Sequence, residues 1–214
     1  MSKKLISLSC LLLFGFVVST KADTIGPTNC GSCLGSSYTL TYAATSDATV
    51  YDISLVIDTS ATTLPGDFLN AAAVKITSNT TDVTNAFLLS SPATFSTTVV
   101  GGLSANGCAA GSAGFICSQS STTTGVAVGA STPYTFEWQV TEAAVGDINF
   151  STLGSSVKAL YVDSTGKQNG LTSENITLQP GGTPPPPVPE PASLLLVCTG
   201  LLGAAAGVRR RFAR

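Results

Sequence analysis

The sequence contains no histidine. That removes the commonest general base of enzyme active sites and the usual partner of cysteine in a zinc site. Charge is scarce as well, with Asp, Glu, Lys and Arg together making 10% of the residues. Residues 23–179 hold no arginine, and three lysines there face eleven acidic residues, a net charge of −8. An acidic stretch without arginine repels a phosphate backbone, which argues against nucleic acid as a partner. Aromatic residues make up only 7%. No Gly-x-Ser-x-Gly elbow, phosphate-binding loop or calcium-loop spacing occurs. The reading therefore assigns no catalytic residue, no cofactor and no metal.

The positive charge that the middle lacks sits at the two ends. Lys3 and Lys4 precede an apolar run, Leu5 to Val18, and Thr20-Lys21-Ala22 follows with small residues where a signal peptidase reads them. This is the layout of a secretory signal peptide, read as residues 1–22 with cleavage after Ala22. The run is short for a membrane span. Most of it follows Cys10, whereas a lipoprotein cysteine stands after the run, so Cys10 is no lipid anchor.

Residues 23–179 suit one domain with one core. Setting aside Cys10 and Cys198, this domain keeps Cys30, Cys33, Cys108 and Cys117. An even number in an exported chain reads as two disulfides. Local pairing, Cys30 with Cys33 and Cys108 with Cys117, is the first choice, and the other two connectivities stay open. Cys30-Gly31-Ser32-Cys33 is also a redox or zinc spacing, but with no strand read before it and no helix after it the redox context is missing.

The domain reads as all-β, an antiparallel sandwich of about eight or nine strands. Tyr51, Ile53, Leu55 and Ile57 share one face of a period-two strand, as do Tyr134, Phe136, Trp138 and Val140. Further strands are expected at 38–43, 74–77, 86–89, 94–100, 157–162 and 173–178. Turns are expected at Leu64-Pro65-Gly66-Asp67, Ser91-Pro92, Gly101-Gly102, Asn106-Gly107 and Asp163 to Gly166. Phe68 to Ala73 is read as at most one helical turn. Two Asp-containing stretches, Leu55 to Ala61 and Tyr161 to Gly166, echo an aspartic-protease signature, yet Ser60 replaces the required glycine in the first. Asp58 and Asp163 are read as turn residues.

Gly181-Gly182-Thr183 and four consecutive prolines, Pro184 to Pro187, make an extended spacer over 180–187. Then come Val188-Pro189-Glu190-Pro191, an uncharged stretch Ala192 to Val208, and Arg209-Arg210-Arg211 just before the C-terminus. Seventeen helical residues span roughly 25 Å, enough for a thin bilayer core. The arginines hold their end in the cytoplasm, so a transmembrane helix over 192–208 leaves the domain outside.

Pro-Glu-Pro, an uncharged span and an arginine cluster at the C-terminus resemble the PEP-CTERM sorting signal, a tail also labelled as the C-terminal domain of ice-binding proteins. Ice binding is not inferred from that label. The resemblance implies recognition of Pro189, Glu190 and Pro191 by an exosortase, a membrane-embedded processing enzyme, with Arg209, Arg210 and Arg211 as the membrane stop. It further implies passage through the inner membrane to the cell surface or extracellular matrix, where exopolysaccharide is an expected partner. The domain itself is expected to be structural or adhesive and not an enzyme. A carbohydrate-binding module is the alternative, with a secreted hydrolase using acidic residues behind it.

Overall fold

The computed structural model describes residues 21–77, 80–111, 114–148 and 155–176. The expected leader up to Thr20, the proline spacer 180–187, the span 192–208 and the Pro-Glu-Pro and arginine motifs lie outside the described residues. Within them the chain forms twelve β-strands, one 3-10 turn at Thr80–Asp82 and no α-helix. The strands are β1 (Lys21–Ile25), β2 (Ser37–Ala44), β3 (Val50–Asp58), β4 (Phe68–Lys75), β5 (Val83–Ser90) and β6 (Phe95–Ser104). They continue with β7 (Gly107–Ala110), β8 (Phe115–Ser120), β9 (Val126–Ala127), β10 (Tyr134–Glu142), β11 (Ser155–Val162) and β12 (Gln168–Ile176).

Two antiparallel sheets result. One has the order β1-β2-β3-β10-β5, the other β12-β11-β4-β8-β6-β7 with β9 added beside β4. In the first sheet, period-two alternation decides which side is buried. Ile53, Leu55 and Ile57 on β3 and Phe136, Trp138 and Val140 on β10 are buried, while Asp52 beside Ile53 and Glu137 between Phe136 and Trp138 are exposed. These inward side chains share one hydrophobic cluster with Leu69, Ala72 and Val74 of β4, Ile116 of β8 and Val157 and Ala159 of β11. The core therefore lies between the two sheets. Phe95 meets Phe136 edge-on at 4.9 Å, and Trp138 Nε1 donates to Ser118 Oγ of the opposite sheet at 2.7 Å. That bond satisfies the indole N–H, which would otherwise be costly to bury.

The second sheet departs from simple alternation. β4, expected as one helical turn at Phe68 to Ala73, is a strand buried on both sides, with Ala71 and Ala73 in one cluster and Ala72 and Val74 in the other. A strand without a wet face carries no polar alternation, and its run of alanines reads as helical. The expected turn at Gly101-Gly102 is also corrected. β6 runs on through both glycines, and Gly101 pairs with Phe115 of β8 and with Ala110 of β7. A side chain at Gly101 would collide with the Ala109 carbonyl and the Ala110 backbone, so only glycine fits this junction. The reversal comes at Ala105–Asn106. The tip of the β6–β7 hairpin then covers the outer side of the second sheet, where Leu103 packs with Ala71, Ala73, Phe115, Cys117, Leu160 and Val162. Lys158 of β11 ties the hairpin down, donating to the Leu103 carbonyl at 3.3 Å with its ammonium 4.7 Å from the Phe115 ring centre.

At one end, β1 starts at Lys21, two residues inside the expected leader. Cleavage after Ala22 leaves Asp23, Thr24 and Ile25, paired with Leu40, Thr39 and Tyr38. Between the sheets near this strand lies a buried hydroxyl chain. Tyr38 Oη is 2.7 Å from Tyr161 Oη and donates to Thr172 Oγ1 at 2.9 Å, which in turn donates to the Ser32 carbonyl at 3.0 Å. Tyr161 Oη also lies 3.1 Å from Ser36 Oγ.

Burial raises the pKa of both phenols above the ordinary tyrosine value, the charge on Tyr161 adding to the rise at Tyr38. The folded state thus holds these protons more tightly than the unfolded chain. The stability they contribute is intact below about pH 10 and is lost as pH climbs through the raised folded values. Thermal unfolding followed by circular dichroism from pH 7 to 11 is expected to show a steep alkaline loss. Tyr161→Phe is expected to flatten that loss and to cost about 1–3 kcal/mol at neutral pH. An alkaline slope unchanged in both Tyr161→Phe and Tyr38→Phe would remove this cluster as its source.

Candidate functional site

The four domain cysteines form two bonds, Cys30–Cys33 and Cys108–Cys117, with Cα separations of 5.6 and 5.7 Å. The Cys30–Cys33 loop joins β1 to β2, so a strand does precede it, contrary to the sequence expectation. A strand, not a helix, follows. Among the described residues no helix N-terminus is present to stabilise a thiolate. Instead the loop docks on β12. Ser32 N donates to Glu174 Oε1 at 2.5 Å, and Ser173 N donates to Ser32 Oγ at 3.2 Å. The second bond joins β7 to β8 and pins the hairpin that covers the outer cluster.

Asp58 and Asp163 are each occupied by their own turn. Asp58 Oδ1 accepts Ser60 N at 2.9 Å. Asp163 Oδ1 accepts Thr165 N, Thr165 Oγ1 and Lys167 N at 2.8, 2.6 and 3.0 Å. The Ser60 backbone N–H holds the Asp58 carboxyl below its ordinary value, and the Thr165 hydroxyl and backbone do the same for Asp163. A protease dyad needs the reverse, one carboxyl kept protonated beside the other. Glu142, 2% exposed, serves the loop after β10, its Oε1 accepting Gly146 N at 3.0 Å and its Oε2 accepting Ile148 N at 2.8 Å. Among the described residues no group of three or more Cys, Asp or Glu side chains is placed to hold a metal ion.

Two concave regions stand out among the described residues, and the sequence flagged neither. The first is a depression of about 290 Å³ on the outer side of the first sheet, where Asp52 and Glu137 stand on one face with Thr41, Ser54 and Leu89. Asp52 Oδ1 accepts Gln139 Nε2 at 3.0 Å. Both carboxylates are exposed, so the pair lacks the contrast of environment that divides a general acid from a base. Nearby on β5, Phe87 and Leu89 are 54% and 57% exposed. Trp138 and Phe136 are buried and form no sugar-stacking surface. Tyr134 is half-buried and donates to the Ala127 carbonyl at 2.5 Å.

The second is a polar cavity of about 530 Å³ on the outer side of the other sheet. It lies between the β6–β7 turn, the loop after β8 and the β11–β12 turn. Asn70, 4% exposed, organises it, with Nδ2 directed at the carbonyls of Thr122, Thr123 and Thr124 at 3.4, 3.1 and 3.3 Å. Gln119 donates from Nε2 to Asn70 Oδ1 at 3.1 Å and accepts Cys108 N on Oε1 at 2.9 Å. Gly107, at φ +95°, lies so close to the Gln119 amide that a side chain there would collide with it.

Among the described residues no helix is long and apolar enough to cross a membrane. The PEP-CTERM protein-sorting motif matches residues 187–211, which include Pro189, Glu190, Pro191 and Arg209 to Arg211. The match covers the tail and none of the strands. Comparison with curated proteins finds no match.

Replacing Cys108 and Cys117 together by alanine is expected to lower stability by about 3 kcal/mol, since the bond closes a loop of roughly ten residues. Hydrogen exchange is the sharper measurement. Amides of β7 are expected to lose protection while those of β3 and β10 keep theirs. Parallel loss in all three strands would show that the hairpin is no separate cover.

Proposed function

We propose that this chain is an exported surface or matrix protein, structural or adhesive rather than catalytic. Its tail is handled by an exosortase-type membrane enzyme. The observation that carries the reading is the sorting motif at residues 187–211. Its parts make physical sense in that order. Pro189-Glu190-Pro191 presents a stiff recognition segment outside the membrane, residues 192–208 carry no charge, and Arg209 to Arg211 stay on the cytoplasmic side. Recognition followed by cleavage near Pro-Glu-Pro frees the domain from its span and leaves it at the surface.

Two features of the domain support a life outside the cytoplasm. Four cysteines are paired in two disulfides, which persist in oxidising compartments. The excess of acidic over basic residues in 23–179 keeps a secreted domain soluble. The non-catalytic part of the reading draws on the carboxylates, because Asp58, Asp163 and Glu142 each accept backbone N–H groups of the turn or loop that directly follows them.

Deleting residues 189–214 in the native host tests the sorting step. The truncated chain is expected to appear in the periplasm or medium without the tail-dependent mass change and without retention in the matrix. Glu190→Ala in the intact chain is expected to leave a membrane-bound precursor that still carries its arginines, seen by intact mass. Delivery of the truncated chain to the matrix in its normal amount would overturn the assignment.

A further inference from the structure

We propose that the polar cavity beneath the β6–β7 hairpin binds a saccharide unit. This supplies a partner for the adhesive reading above and rests on it only for where that partner is met. At its base the cavity meets Leu160 and Val162 of β11, which are 2% and 3% exposed and belong to the outer cluster. Its walls are amides and hydroxyls with a single cation, Lys167, and no lining residue is acidic. In a domain of net charge −8, a concave site free of carboxylates is a local departure from the surface around it.

The chemistry fits a sugar ring. The rim of a pyranose carries adjacent hydroxyls that both donate and accept. A carboxamide offers a donor and an acceptor side by side. Asn106 and Gln168 bring two such groups to the cavity, and neither side chain has a hydrogen-bond partner among the described residues. Lys167 adds an ammonium that donates to a ring hydroxyl or to the carboxylate of a uronic acid.

The walls are also built before any ligand arrives. Asn70 holds the loop at Thr122 to Thr124 by its carbonyls, Gln119 holds Asn70 and the β7 backbone, and Cys108–Cys117 fastens β7 to β8. Binding then orders little beyond the free amides of Asn106 and Gln168, which keeps the entropic cost of association low. A volume of about 530 Å³ is in the ordinary range for ligand cavities and admits one or two sugar units. With no aromatic among the lining residues, no ring-stacking contact adds to the hydrogen bonds and each site binds weakly. Many copies displayed together on one surface would meet a repeating polymer multivalently, which offsets a weak single site.

The test uses the full-length chain in detergent micelles, titrated with short alginate oligomers (uronate) and separately with short dextran oligomers (neutral), and read by amide chemical shifts. Shift changes confined to residues 105–107, 119–124 and 166–168 are expected in at least one arm. Response to alginate alone assigns a carboxylate to Lys167, and response to both assigns it a hydroxyl. The double variant Asn106→Ala/Gln168→Ala changes only exposed side chains and is expected to keep its melting temperature while binding about tenfold more weakly. Absence of shifts in both arms, or a double variant that binds like the native chain, overturns the proposal. Surface delivery of the double variant in the host is scored separately, so a variant delivered normally but unable to bind leaves the sorting reading standing.

Discussion

The second sheet has to be covered on both sides, and most of the architecture answers that requirement. β4, β8 and β11 each present small or apolar residues inward and outward. Burial on the inner side comes from the first sheet, through Trp138, Phe136, Leu55 and their neighbours. Among the described residues no equivalent layer lies on the outer side, and the chain folds a piece of the same sheet back over it. Glycine at 101 lets β6 approach two partners at once, Leu103 caps the alanines of β4, and Cys108–Cys117 holds the cover in place. The cost of leaving roughly seven apolar side chains wet, at about 25 cal/mol per Å², is avoided without a helix layer. The polar cavity is a consequence of this cover. It forms where the hairpin tip stops and the loop after β8 begins.

Polar groups inside the fold are nearly all satisfied, and the way they are satisfied speaks to function. Tyr38, Tyr161 and Thr172 bond to one another and to the loop of the first disulfide. Trp138 bonds Ser118. Asp58, Asp163 and Glu142 accept from backbone N–H groups. For Asp58 and Asp163 these bonds stabilise the anion, and all three carboxylates are structural elements of their loops. In these loops the carboxylates act as structural acceptors for the backbone.

The two disulfides act at different scales. Cys30–Cys33 closes a short loop whose Ser32 seals the edge beside β12. Cys108–Cys117 links two strands and holds a whole layer of cover. Both bonds are local in sequence, so each can form as its segment leaves the membrane, before the long-range pairings of β3 with β10 and β4 with β11 are complete.

Much of this was legible in the residues. Alternation in 50–58 and 134–142 named the inward faces of β3 and β10, including buried Trp138, because those strands have one wet side. The short spacing of each cysteine pair favoured the bonds that form. Pro-Glu-Pro, the uncharged run and the arginine cluster named the address by themselves, since a sorting signal is read as linear chemistry. What tertiary structure decided is everything that depends on which surfaces meet. The strand at β4 was hidden because a segment buried on both sides has no period to read. The continuation of β6 through Gly101-Gly102 was hidden because glycine marks a tight approach as readily as a turn. The cavity was hidden because Asn70, Asn106, Gln119 and Gln168 are far apart in the chain and ordinary one by one. Local pattern determined the faces of the strands and the destination of the protein. Only the folding of one sheet back over itself brought four unremarkable amides to a common site.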